Sequence, residues 1–183
     1  MSQRRRDLLS NAIGVTVEIG AGTGLNAVHY PPAVSKVIAT EPDPHMLRRL
    51  RRAVADARVP VLVQRAPANQ LPFEDRFADT VVSTLVLCSV PDQGAALDEV
   101  HRILKRNGRF LFFEHVRAES PGLARWQDRL ERPWGWVGGG CHPNRDTVSA
   151  IREAGFELVE MERLDMPGVP VVKPHVLGMA EGA

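Results

Sequence analysis

Near-continuous apolar runs alternate with segments of helical period along this chain. The runs are VTVEIG (15–20), KVIAT (36–40), VPVLVQR (59–65), ADTVVSTLVL (78–87) and GRFLFFEHV (108–116). Because they do not alternate polar with apolar, they predict strands buried on both faces of a parallel sheet. Between them, PHMLRRLRRAVADA sets Met46, Leu47, Leu50, Ala53 and Val54 on one helical face and Arg48, Arg49, Arg51 and Arg52 on the other, which predicts a solvated arginine face. PDQGAALDEVHRILKRNGR repeats the pattern with Leu97, Val100, Ile103 and Leu104 as its stripe and Asn107-Gly108 as its stop. His101, on the same helix, is expected to face solvent.

The last third reads differently. Residues 117–144 have no clean period, hold all three tryptophans (Trp126, Trp134, Trp136) and include GGG at 138–140, the mark of an insertion over a site. After it, NRDTVSAIREAGFELVEMERLD predicts a helix capped by Asn144 and ended by Gly155, then a strand. KPHVLGMA (173–180) predicts a closing strand. Strands alternating with helices make an α/β fold, and 183 residues without repeat or linker predict one domain over 1–183.

Composition narrows the partners. The chain is 44% hydrophobic and 25% charged with a net charge of +1, and its basic runs QRRR (3–6) and RRLRR (48–52) are offset by Asp and Glu elsewhere. Neither nucleic acid nor a membrane surface is an expected partner. No stretch reaches the roughly 18 apolar residues of a membrane span, and no apolar leader follows the basic N-terminus, so a cytoplasmic protein is expected. Cys88 and Cys141 are expected as free thiols, with a pairing between them left open.

VEIGAGTGLN (17–26) is a glycine-rich turn behind a strand, at the sheet edge where an open α/β fold binds ligands, and a helix is expected to follow it. A dinucleotide loop would need a glycine where Leu25 stands. The pattern here is ExGxGxG, and Glu18 would place a negative charge where a pyrophosphate should lie. A carboxylate suits an ammonium or sulfonium group, and Glu41, ending the second strand, can receive the two hydroxyls of a ribose. A nucleoside with a cationic tail, such as S-adenosylmethionine (SAM), fits both. Met46 and Leu50 suit a core equally well.

On these residues the chain resembles the class I SAM-dependent methyltransferases. VEIGAGTG looks like their first motif, ATEPDPHML like the ribose and adenine motif, LPFEDRFADTVVSTLVLCSV like the fourth-strand region and LKRNGRFLFFEH like the fifth strand. The resemblance implies a Rossmann-like, mostly parallel seven-stranded sheet of order 3-2-1-4-5-7-6, its last strand antiparallel, with helices on both faces. It implies that Glu18, Gly20, Ala21 and Gly22 hold the methionine end, Glu41 the ribose, and Pro42 with Met46 the adenine, with Thr84 and Leu85 completing the set. Where many relatives place an Asp for the adenine amino group, APANQLPF has Pro67, leaving the backbone of Ala68 as the contact.

The methyl acceptor should lie beyond strands four and five, an edge that offers Thr84, Leu85, Leu87, Cys88, Ser89, Glu114 and His115. His115 alone there has an ordinary pKa suited to a general base. TLVLCSV, FEHV, ARWQDRLERPWGWVGGGCHPNRDT and VKPHVLGMA resemble more narrowly the methyltransferase-like alkyl thiol S-methyltransferases. That likeness implies a small hydrophobic thiol as acceptor, bounded by Cys88, His115, Trp126, Trp134 and Trp136; core packing is the alternative for each tryptophan. Membrane-associated members of that family carry an N-terminal anchor and further helices, whereas about fourteen residues precede the glycine strand here, so a soluble protein with an abbreviated lid is expected. Cys141 and His142 with Cys88 or His115 have no CxxC or HxxxH spacing, so no metal is expected and Cys88 reads as a small apolar residue. Alternatives are O-, N- or C-methylation of another small molecule, a SAM-binding module without turnover, and a nicotinamide oxidoreductase.

Overall fold

A computed structural model describes residues 1–182. Its strands are β1 (Gly14–Ile19), β2 (Val34–Thr40), β3 (Val61–Gln64), β4 (Ala78–Thr84), β5 (Leu104–His115), β6 (Phe156–Asp165) and β7 (Pro174–Gly182). They form one sheet in the order β3-β2-β1-β4-β5-β7-β6, parallel throughout except for β7, which runs antiparallel to both β5 and β6. This is the order that the methyltransferase resemblance implies. The helices are α1 (Ser2–Leu9), α2 (Pro44–Ala53), α3 (Gln93–Ile103), α4 (Pro121–Val137) and α5 (Thr147–Glu153).

Each face of the sheet has its own apolar core. Val17, Ile19, Val81, Phe110 and Phe112 pack with Leu97, Val100 and Ile103 of α3 and Ile151 of α5. Val37, Ala39, Val82, Leu111 and Phe113 pack with Leu8 and Leu9 of α1 and Leu47 and Leu50 of α2. Consecutive residues of β5 therefore feed opposite cores, which explains its unbroken apolar run; each such side chain contributes about 1.5–3 kcal/mol on burial.

Four local expectations need correction. α3 stops at Ile103, and Leu104 begins β5, so Asn107-Gly108 lies within the strand rather than ending the helix. His101 is half-buried rather than fully in solvent, packing edge-on against Phe156 with ring centroids 5.2 Å apart. The cap of α5 is Asp146, whose carboxylate accepts from the Ser149 N–H at 3.1 Å, while Asn144 donates to Asp128. Residues 121–137 are helical despite their lack of period.

Candidate functional site

The glycine turn follows β1 directly. Gly20 has φ 55° and Gly22 φ 57°, left-handed conformations that side chains rarely adopt. A Cβ on Gly20 would meet the Val86 methyls at 2.7 Å, whereas one on Gly22 would meet nothing nearer than 3.9 Å, so Gly22 leaves its surroundings open. No α-helix follows: residues 22–29 form successive turns, and the expected helix N-terminus is not there. A carboxylate organises the loop instead. Glu41 Oε2 accepts from the Gly22 N–H and Oε1 from the Asp43 N–H, each at 2.9 Å.

Seven of the ten predicted cofactor residues, Gly20, Gly22, Glu41, Pro42, Met46, Ala68 and Leu85, line a cavity of 470 Å³, within the roughly 300–1,000 Å³ common for small-molecule sites. Pro67, Asp43, Asn69, Val86, Ser89, Val90, Pro91 and Gly139 complete the wall. Most of these neighbour the motifs already read. Gly139 comes from the segment after α4, and only its GGG composition marked it.

Glu18, Ala21 and Thr84 are not among the lining residues. Ala21 donates its N–H to Thr40. Glu18 is buried, accepting from Tyr30 Oη at 2.7 Å and Asn26 Nδ2 at 2.9 Å. Arg5 of α1 reaches the same place, donating to Asn26 Oδ1 at 2.8 Å and to Thr84 Oγ1 at 3.0 Å. Burial pushes the Glu18 carboxyl up to about 7, against its hydrogen bonds from Tyr30 and Asn26 and the nearby Arg5 charge. The Arg5 Nε has no partner among the described residues. Arg5, which the sequence showed only as part of the basic run QRRR, is the buried cation of this network.

Beyond β4 the backbone turns sharply. Leu85 has φ 61°, an uncommon conformation for a branched residue. Glu114, fully buried near the end of β5, holds this turn by accepting from Ser83 Oγ at 2.6 Å and from the Val86 and Cys88 N–H groups at 3.1 and 3.4 Å. The run predicted as strand to residue 87 thus ends at Thr84. Cys88 next meets His115: its Sγ lies 3.6 Å from Nδ1, and Cys141 Sγ lies 3.3 Å from the same nitrogen. The neighbouring Cys141 thiol, with burial, pushes the Cys88 thiol well up, while the Cys88 thiol, against burial, holds Cys141 down. His142 turns away to Glu131, 2.9 Å distant. The ring of His175, its own pKa lowered to about 4 by burial, packs on His115 with centroids 4.3 Å apart.

The tryptophans are disposed differently from expectation. Trp136 is 92% and Trp126 56% exposed, and Trp126 instead meets the guanidinium of Arg129. Their helix buries only Ala124 and Gln127, and the rings of Trp126 and Trp136 lie on its outer side. Trp134 is half-buried beside Gly138, near Cys141, and is the one of the three close to the cysteines.

Residues 17–112 match the protein family described as a methyltransferase domain. The human (Homo sapiens) thiol S-methyltransferase TMT1A is 34% identical over 98% of this chain and 79% of its own length. The rat (Rattus norvegicus) thiol S-methyltransferase TMT1B is 37% identical over 96% of this chain and 74% of its own. Among solved structures, YcgJ of Bacillus subtilis superposes with a TM-score of 0.78 at 17% identity, covering 100% of this chain and 99% of that one. A SAM-dependent methyltransferase of Thermotoga maritima gives 0.71 at 24% identity, covering 100% and 89%. These structural likenesses speak for the fold.

Proposed function

The chain belongs to the methyltransferase-domain family and is a SAM-dependent methyltransferase, and from that premise we propose that it methylates the sulfur of small hydrophobic thiols. One observation carries this reading. The likeness to proteins named thiol S-methyltransferases covers 98% of the chain, so it runs past the matched domain at residue 112 into the end of β5, α4 and Cys141.

The residues fit the donor. Glu41 spends one lone-pair site of each oxygen on backbone N–H groups and keeps others for ribose hydroxyls. Pro42, Met46, Ala68 and Val86 give the cavity apolar walls for an adenine, and open space over Gly22 admits close backbone approach. When bound, SAM supplies a methyl group already activated by its sulfonium, which passes to the acceptor sulfur and leaves S-adenosylhomocysteine. The protein's work is then alignment, worth about 7–11 kcal/mol when the reacting atoms are well held. The turn from Leu85 to Cys88, fixed by Glu114, joins the donor cavity to the Cys88 and His115 side of the site, where we assign the acceptor. A thiol suits this end, because a pKa near 8.5 leaves a few per cent of thiolate at neutral pH. His115 is the group we assign to assist its deprotonation.

A reducing, cytoplasmic setting accords with two free thiols, Cys88 and Cys141, and no helix among the described residues is long and apolar enough to cross a membrane. The test is incubation of the purified chain with SAM and a panel holding an alkyl thiol, an alcohol, an amine and a quinone, with mass detection of methylated product. Methyl thioether with matching S-adenosylhomocysteine is expected. Transfer to another acceptor alone overturns the thiol reading, and SAM binding without any product favours a binding module.

A further inference from the structure

Three elements bring two sulfurs and one ring nitrogen to a single point. Cys88 comes from the turn after β4, His115 ends β5, and Cys141 follows α4. All three ligand atoms lie within 4.8 Å of one another. Zinc holds sulfur at about 2.3 Å and imidazole nitrogen at about 2.0 Å, so a tetrahedral ion sets its sulfur and nitrogen ligands about 3.5 Å apart. The two sulfur-to-Nδ1 distances here are 3.6 and 3.3 Å, on either side of that figure. The nearby carboxylates are engaged elsewhere, Glu131 with His142 and Glu114 with the turn. Two thiolates and an imidazole are a zinc ligand set, and their charges balance a divalent ion in a buried place.

We propose that Cys88, His115 and Cys141 bind one Zn²⁺ ion, and that its fourth position takes the acceptor thiol. The second half rests on the thiol reading above. Three protein ligands with one open position is the arrangement of catalytic rather than structural zinc. Ser89, beside Cys88, and Gly139, two residues before Cys141, both line the donor cavity, so the cluster lies next to the wall of the methyl donor's space. The acceptor enters as thiolate and its proton passes to solvent. Its sulfur lone pair forms the new bond to the methyl carbon while the sulfonium bond breaks, that electron pair staying on the homocysteine sulfur. The product is a neutral thioether, a weaker ligand that can leave. In this reading Nδ1 of His115, which faces two protein sulfurs, assists deprotonation as a ligand rather than by taking up the proton. Spacing along the chain hid the set: 27 residues separate Cys88 from His115 and 26 separate His115 from Cys141.

The reduced full-length chain is titrated with Zn²⁺ and, separately, with Co²⁺. Native mass spectrometry should show one zinc gained for two protons lost, and cobalt should give thiolate charge-transfer absorption with the visible bands of a tetrahedral ion. An alkyl thiol, but not the matching alcohol, should shift those bands. Cys88→Ser and Cys141→Ser should each weaken zinc binding at least about tenfold, with circular dichroism as the check of folding. The absence of stoichiometric uptake at micromolar metal overturns the site, as does uptake unchanged in the double serine variant. Cobalt bands indifferent to thiols, or full thiol methylation by the metal-stripped chain, overturn the fourth-position assignment while the thiol reading stands. Failure of the thiol panel with zinc uptake intact overturns the acceptor and leaves the ion.

Discussion

The sequence singled out two acidic residues, and in the structure they do different work. Glu41 faces the cavity and braces the glycine loop. Glu41→Ala should therefore raise the SAM dissociation constant about tenfold or more, since a hydrogen bond to a charged group is worth about 1.5–3 kcal/mol; calorimetry giving an unchanged constant would remove its ribose role. Glu18 is buried beneath the loop, and its contribution should appear in stability against pH. Its folded pKa, about 7, lies above its ordinary 4.5, so the folded state keeps the proton longer than the unfolded one. The stabilisation is complete below about pH 4.5 and is lost as pH rises to about 7, with a slope approaching about 1.4 kcal/mol per pH unit. Glu18→Gln should flatten that slope in denaturant titrations across the same window. Glu18 could be read as acidic and important from its place before the glycines. Its partners could not, because Arg5, Asn26, Tyr30 and Thr84 meet only after folding.

At the scale of elements, α4 is where periodicity misled. A helix is visible in sequence when an apolar stripe faces the core. This one buries Ala124 and a polar residue, Gln127, leaves Trp136 in solvent and contains Pro133, so its pattern carries no stripe. Gln127 holds the helix down: its Oε1 accepts from the Ala118 N–H at 2.8 Å, and its Nε2 lies 2.9–3.2 Å from the carbonyls of Val116, Pro143 and Val171. Gln127→Ala should cost about 2–4 kcal/mol in thermal or chemical unfolding, because buried polar groups lose their partner, whereas Trp136→Ser should stay within about 0.5 kcal/mol of the parent. Equal effects of the two would remove the anchoring role of Gln127. The opposite error occurred after β4, where an apolar run concealed a turn. The signal was in Glu114, whose need for buried donors is met by the backbone of that turn.

For the whole molecule, strand order was accessible because unbroken apolar runs require a sheet covered on both faces, and the resemblance supplied the sequence of crossovers. What remained hidden is convergence across long sequence distance, in the Arg5 network as in the three residues around His115. The role of α1 has a practical consequence for anyone cutting or grafting this protein. The region matched to the methyltransferase domain begins at residue 17, yet the buried guanidinium beside Glu18 comes from residue 5. A fragment trimmed to the recognisable domain would retain every glycine of the loop and lose that cation, leaving Asn26 and Thr84 without its hydrogen bonds. Such a truncation should melt at lower temperature than the full chain, and an Arg5→Met chain of full length should reproduce part of that loss. The boundary of a transplantable unit therefore lies upstream of the boundary that sequence similarity draws.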